Sequence, residues 1–316
     1  MKKIFVALVF ACLLFAREIH PTHTLKTPFE VSSIQREKDL LYISTLGGEV
    51  LIYHLNQKKY RPSIKLPLLR DFFGNSYPPK IFNTASNSKN MLAIVSANAQ
   101  GKRNLYLADG NHPSHPPTPL LTDLNIAKVL WLNEEQILIA LLSHEILLYD
   151  LPRHQTLYQT QISQSSFSDM VLDSPFLFTT GESGVVYQIH PKNGKILKTL
   201  PIINKDKNFQ IVANHHRIAT AGQDRRVGVY FLDTGKDLSL RSDFLVYAVG
   251  LDAPTNTLAY LANEKGDIAL VNLLSKKKTA MLTGLQGIAN NIIFYKNNII
   301  VSCDSPYIYF FNKGEL

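Results

Sequence analysis

Residues 219–236 read ATAGQDRRVGVYFLDTGK. Small residues run into a polar turn at Gln223-Asp224-Arg225, a β-branched and aromatic stretch follows, and Asp233-Thr234-Gly235 closes it. Apolar runs bounded by Gly, Asn and Asp read as a β-hairpin. A lone hairpin is marginal in water. The fold therefore turns on whether this one recurs.

It does. Aligned on Tyr230 of VGVYFLD, EVLIYHLN supplies Tyr53, RNLYLAD Tyr106, EILLYDL Tyr149, VVYQIH Tyr187, DIALVNL Val271 and YIYFFN Tyr309. The successive spacings are 53, 43, 38, 43, 41 and 38 residues. A period near 40 is that of one four-stranded propeller blade. The long first spacing requires an insertion, and LPLLRDFFGNSYPP (residues 66–79) supplies it.

Each unit repeats an internal order. In the sixth, FLVYAVGLD (244–252), TLAYLAN (257–263), DIALVNL (267–273) and TAMLTG (279–284) alternate with Asn-, Gly-, Ser- and Lys-rich turns. Such antiparallel meanders have two apolar faces, which radial stacking buries. The sequence thus predicts an all-β, seven-bladed propeller with four antiparallel strands per blade. The last unit ends at Leu316, just after its third strand. The segment HPTHTLKT (20–27) is expected to supply the missing outer strand and close the ring.

Residues 1–16 are excluded from the fold. Lys2 and Lys3 precede an apolar run from Ile4 to Ala16, followed by Arg17. Thirteen apolar residues are too few to span a bilayer, and the pattern is that of a secretory signal peptide. Cleavage is expected near Ala16–Arg17, leaving one propeller domain over 17–316 in the periplasm, as a monomer. Lipidation at Cys12 is the minor alternative. Removing residues 1–16 takes away two lysines and no acids, lowering the net charge from +8 to +6. Only Cys303 then remains, so no internal disulfide forms.

WD40 repeats resemble these units. ATAGQDRRVGVYFLDTGK is similar to the end of such a repeat, with Tyr230 where the name-giving Trp sits, and TTGESGVVYQIHPKNGK (179–195) is similar again. Two departures stand out. The only Trp is Trp131, outside the aligned positions, and no Gly-His dipeptide opens any repeat. The family's His–Asp–Trp side-chain network is therefore not expected, and Asp224 is expected only to cap its hairpin. The whole exported chain also resembles the L-type accessory components found beside periplasmic nitrate reductases. That resemblance implies a protein-interaction role with another periplasmic protein, a nitrate reductase subunit.

Catalytic motifs are missing: no G-x-S-x-G, H-E-x-x-H, P-loop or dinucleotide fingerprint is present. The expected first strands offer one Glu, two Asp and one His, a thin set for acid–base or metal chemistry. No enzyme, metal or cofactor is expected. A ligand-binding propeller and an envelope-assembly factor that binds outer-membrane proteins are the alternatives. His112 and His115 lie in the Pro-rich NHPSHPPTP (111–119), read as an exposed turn; His215 and His216 read as a turn, and His20 and His23 as strand-edge residues. Cys303 reads as a small core residue.

Two features point to partners. Lys58, Lys59, Lys192, Lys195, Lys236, Lys276, Lys277 and Lys278 follow third strands, so they are expected on one face of the ring. Such a face attracts an acidic partner or an anionic membrane surface; a periplasmic address argues against nucleic acid. Phe72, Phe73 and Tyr77 lie in the insertion, expected on the opposite face. They either anchor a partner or fold back over the channel mouth.

Overall fold

The computed structural model describes residues 17–315, apart from the side chain of Glu315. The signal-peptide reading and Cys12 lie outside the described residues.

The hairpin within residues 217–231 forms as expected. Arg217–Gly222 pairs antiparallel with Arg226–Phe231, with Ile218 opposite Tyr230 and Ala221 opposite Val227. Successive side chains leave a strand on opposite faces. Here both faces are buried. Ile218 and Tyr230 pack against blade four, while Ala219, Ala221, Val227 and Val229 pack against blade six. That is why these strands read as continuous apolar runs instead of alternating with charge.

Seven such sheets make the ring. Their first strands are Val31–Glu37, Ile81–Ser86, Ile126–Trp131, Phe167–Asp173, Asn208–Asn214, Val249–Asp252 and Ala289–Tyr295. The core is divided among seven clusters, one at each interface between blades. The repeat positions Tyr53, Tyr106, Tyr149, Tyr187, Tyr230, Val271 and Tyr309 all lie on third strands. Each belongs to the cluster shared with the preceding blade. The periodicity in the sequence is thus the periodicity of the interfaces. Cys303 is fully buried in the cluster between blades six and seven, and burial pushes its thiol up to about 12.

The N-terminal segment closes the ring. His23–Lys26 pairs antiparallel with Tyr307–Asn312 as the fourth strand of blade seven, and its Leu25 enters the cluster against blade one. A second pairing is new. Arg17–Ile19 runs parallel to Lys277–Leu282 and gives blade six a fifth strand, burying Ile19 at 1% exposure. The chain then crosses to blade seven at Thr22, whose amide donates to the Phe310 carbonyl. One short segment therefore ties two blades together.

Two expectations are corrected. The sixth blade's first strand is Val249–Asp252, not the whole of 244–252. Val246 donates its amide to Gly222 of blade five and Ser242 accepts from Phe244, so 242–248 is a connection bound to its neighbour. Asp224 does more than cap its hairpin. Its carboxylate accepts from the Asn204 amide at 3.0 Å and the Lys205 N–H at 2.9 Å, while Thr220 donates to Asn204 at 2.7 Å. Fully buried Asn204 thus ties the connection to the turn without any histidine.

Candidate functional site

An antiparallel meander sends its second-to-third and fourth-to-first connections to one face of the ring and the others to the opposite face. The insertion lies on the first face. It is a small hairpin, with Leu69 paired to Tyr77 and Arg70 to Ser76. Asp71 locks its tip. One carboxylate oxygen accepts from the Phe73 and Asn75 amides at 2.9 and 2.8 Å, and the other from the Asn75 side chain at 3.0 Å. These donors hold the Asp71 carboxyl below its ordinary value, the Asn75 side-chain bond contributing most. Gly74, at φ +86, completes the turn in the left-handed region that glycine tolerates.

The base of the hairpin is fixed as well. Pro78 and Pro79 press on Gly48, where an added Cβ would lie 3.1 Å from both rings and where φ is +77. Phe72 and Phe73 stand beyond this rigid support at 98% and 86% exposure, edge to face with ring centroids 5.7 Å apart. Tyr77 is 38% exposed. Of the two readings offered by the sequence, the rings do not fold back over the channel. Among the described residues, seven of the twelve exposed large hydrophobic side chains lie on this face: Phe29, Leu68, Phe72, Phe73, Tyr77, Leu142 and Ile202.

The opposite face carries the lysines. Lys58, Lys59, Lys192, Lys195, Lys236 and Lys276–Lys278 are all exposed at third-to-fourth turns. His112 and His115 stack in the exposed turn of blade two, and His112 lies 2.7 Å from Asp109. His215 and His216 form a turn with positive φ on the same face. His20 lies 3.2 Å from the Thr283 hydroxyl, and His23 rests on Phe310.

The channel is more polar than a count of Asp, Glu and His suggested. In six blades a register shift in the first strand is followed by Ser33, Asn83, Lys128, Asp169, Gln210 or Asn291. Four of these accept the backbone N–H of the next blade. Asn83 takes Val129 at 3.0 Å, Asp169 takes Ile211 at 2.9 Å, Gln210 takes Val249 at 2.8 Å and Asn291 takes Ile34 at 3.1 Å. Lys128 has no lone pair to offer, and its ammonium instead reaches Asp169 at 2.6 Å. Sequence reasoning missed this belt because it weighed the Asp, Glu and His of these strands for acid–base or metal chemistry, whereas three of the four acceptors are amides. The signal was present as a polar residue followed by Ile, Thr, Val or Met at one position in six of the seven repeats.

His144 was also missed. It sits in a turn of blade three, fully buried, with φ +66. Nδ1 lies 3.2 Å from the Ser165 carbonyl and Nε2 lies 2.9 Å from the Thr179 hydroxyl of blade four. A carbonyl only accepts, so Nδ1 carries the proton and Thr179 donates to Nε2. Burial pushes the imidazole down to about 4. Among the described residues no group of three or more His, Cys, Asp or Glu is placed to hold a metal ion.

These features define a seven-bladed β-propeller that is structurally like WD40 proteins. A chain in a structure of the mitotic checkpoint complex superposes with a TM-score of 0.76 at 10% identity, over 99% of this chain and 97% of that one. The computationally designed Ika8 protein gives a TM-score of 0.66 at 11% identity, over 94% and 99%. At such identities the likeness is one of fold. No protein-family model matches the sequence, and no curated protein matches it.

Proposed function

We propose that the protein is a non-enzymatic, exported interaction scaffold that grips another periplasmic protein through the Phe72–Phe73 finger. The carrying observation is the near-complete exposure of two aromatic rings on a hairpin fixed at tip and base. Burying one such ring stabilises a complex by about 1.5–3 kcal/mol. A pre-ordered loop also loses little entropy on docking. Aromatic anchors of this kind dominate interface energies. Asn83, Asp169, Gln210 and Asn291 of the channel are committed to holding neighbouring blades, which favours a structural over a catalytic use of the ring's centre.

The partner we assign is a subunit of a periplasmic nitrate-reducing system, supported by the whole-chain resemblance to its L-type accessory components. The test is affinity purification of the tagged protein from periplasmic extract beside Phe72→Ser/Phe73→Ser. Recovery of a respiratory reductase by the parent and its loss by the variant is the expected result. Recovery of outer-membrane assembly proteins would replace the nitrate-reductase assignment with an envelope-assembly role. Equal recovery by parent and variant would overturn the finger as the anchor.

A further inference from the structure

A second site lies on the lysine face, where blade seven meets blade one. The seam leaves a cavity of about 200 Å³ walled by Tyr53, Leu55, Ile300 and Phe310, with Lys58 and Lys296 at its lip. We propose that this slot binds a peptide segment in which one aromatic side chain is flanked by carboxylates. The site is separate from the finger and does not depend on it.

Size and chemistry set the central residue. A cavity of about 150 Å³ is large enough for a benzene ring, so the slot, which also has Thr22, His23, Asn56 and Asn298 in its lining, has room for one aromatic side chain. The Tyr53 and Phe310 rings stand 6.2 Å apart and tilted by 50°. The two rings thus pack on each other, and a third ring laid against this pair gains offset or edge-to-face contacts beyond its area burial.

Charge sets the flanks. Lys58 has no carboxylate partner among the described residues. Lys296 lies 3.5 Å from Asp39, whose carboxylate also takes the Tyr295 hydroxyl. Lys38, Lys59 and the run Lys276–Lys278 are exposed on the same face of blades one and six. Against these seven cations, the described side chains of this sector provide Glu37, Asp39 and Asp252, and Lys313 already neutralises Asp252. The acidic pair Glu134 and Glu135 lies away in blade three. Lys58, Lys59 and Lys296 lie on the two blades that form the slot, and this positive sector complements an acidic segment.

The test is fluorescence polarisation of the purified protein with a fluorescein-labelled Glu-Asp-Phe-Glu-Asp peptide. Glu-Asp-Ala-Glu-Asp is the control. The Phe peptide should bind roughly tenfold or more tightly than the Ala peptide, the equivalent of burying one ring. Lys58→Glu should weaken both peptides, and Asn298→Trp, which crowds the slot from its edge, should abolish the difference between them. Added salt should weaken binding, since the exposed charges are screened. Equal affinity for the two peptides, or no binding up to about 1 mM, would overturn the proposal. Sedimentation with anionic phosphatidylglycerol vesicles, undiminished by Asn298→Trp and unmatched by either peptide, would assign the lysines to a membrane surface instead.

Discussion

Lys128 of blade three donates to Asp169 of blade four across 2.6 Å, the charged link in a belt otherwise made of amides and backbone N–H groups. Asp169 is satisfied on both oxygens: Oδ1 also accepts from the Met170 amide and Oδ2 from Ile211 of blade five. A single carboxylate therefore joins three consecutive blades. Asp169→Ala leaves Lys128 and two buried N–H groups without acceptors. The expected cost is about 3–5 kcal/mol, the range for breaking a buried pair from one side. Asp169→Asn keeps an acceptor for Ile211 and should cost less. Urea unfolding monitored by tyrosine fluorescence checks this, and an Asp169→Ala midpoint equal to the parent's would contradict the role assigned to the belt.

Phe72 and Phe73 contribute nothing to the folded core at their exposures of 98% and 86%. Replacing both with Ser should leave the melting temperature within a degree or so of the parent, as exposed substitutions do. Partner retention should fall at least roughly tenfold, because each ring is worth a hot spot. Asp71→Ala should give an intermediate loss: the rings remain while the turn that presents them loosens. A melting temperature lowered by several degrees in the double variant would mean that the rings pack on the protein after all.

The propeller was legible because its blades are built to one plan. Tyr53, Tyr106, Tyr149, Tyr187, Tyr230, Val271 and Tyr309 repeat because each fills the same interface. Ring closure by residues 20–27 followed from the short last unit. What escaped the sequence has a common cause. Arg17–Ile19 is three residues long, too short to carry a periodic signal, and its strand exists only because the edge of blade six is free to pair. Asn204 and His144 act through partners far away in the chain, Asp224 and Thr179, which no local pattern links to them. The finger was legible as an aromatic insertion. Its rigidity was not, because that depends on Asp71 closing back on Asn75 and on Gly48 lying beneath two prolines.

Ring closure carries its own expectation. Leu25 lies in the cluster between blades seven and one, and Ile19 in the cluster between blades six and seven. Either Leu25→Ala or Ile19→Ala should cost about 2–5 kcal/mol, the usual range for emptying a large aliphatic site. The two changes act on different interfaces, so their effects should add within about 0.5 kcal/mol. Unfolding midpoints of the single and double variants measure this. If Ile19→Ala proved neutral, the fifth strand of blade six would be dispensable to the fold.

His144 gives the protein a pH dependence with a defined direction. Burial lowers its folded-state value to about 4, while the unfolded chain titrates near the ordinary imidazole value of 6.5. The unfolded state therefore binds a proton first as the solution is acidified. Stability is fully present above 6.5 and declines as pH falls toward 4, where the folded form also protonates. A shift of this size bounds the loss at about 3 kcal/mol. Hydrogen-bonded carboxylates add their own loss at the acid end of this window: Glu134 and Glu145 are held below the ordinary 4.5, and Asp71 and Asp150 below the ordinary 3.8, so their contribution is present above those values and is lost as pH falls through them. His144→Gln, which keeps a donor and an acceptor but does not titrate, should make the profile shallower below pH 6.5, leaving only the carboxylates' loss at the acid end, even if it lowers stability at pH 7. Urea midpoints at half-unit pH steps for both proteins make the comparison. Parallel profiles would place the acid sensitivity elsewhere; convergence of the two toward pH 4 would assign it to the imidazole that bridges blades three and four.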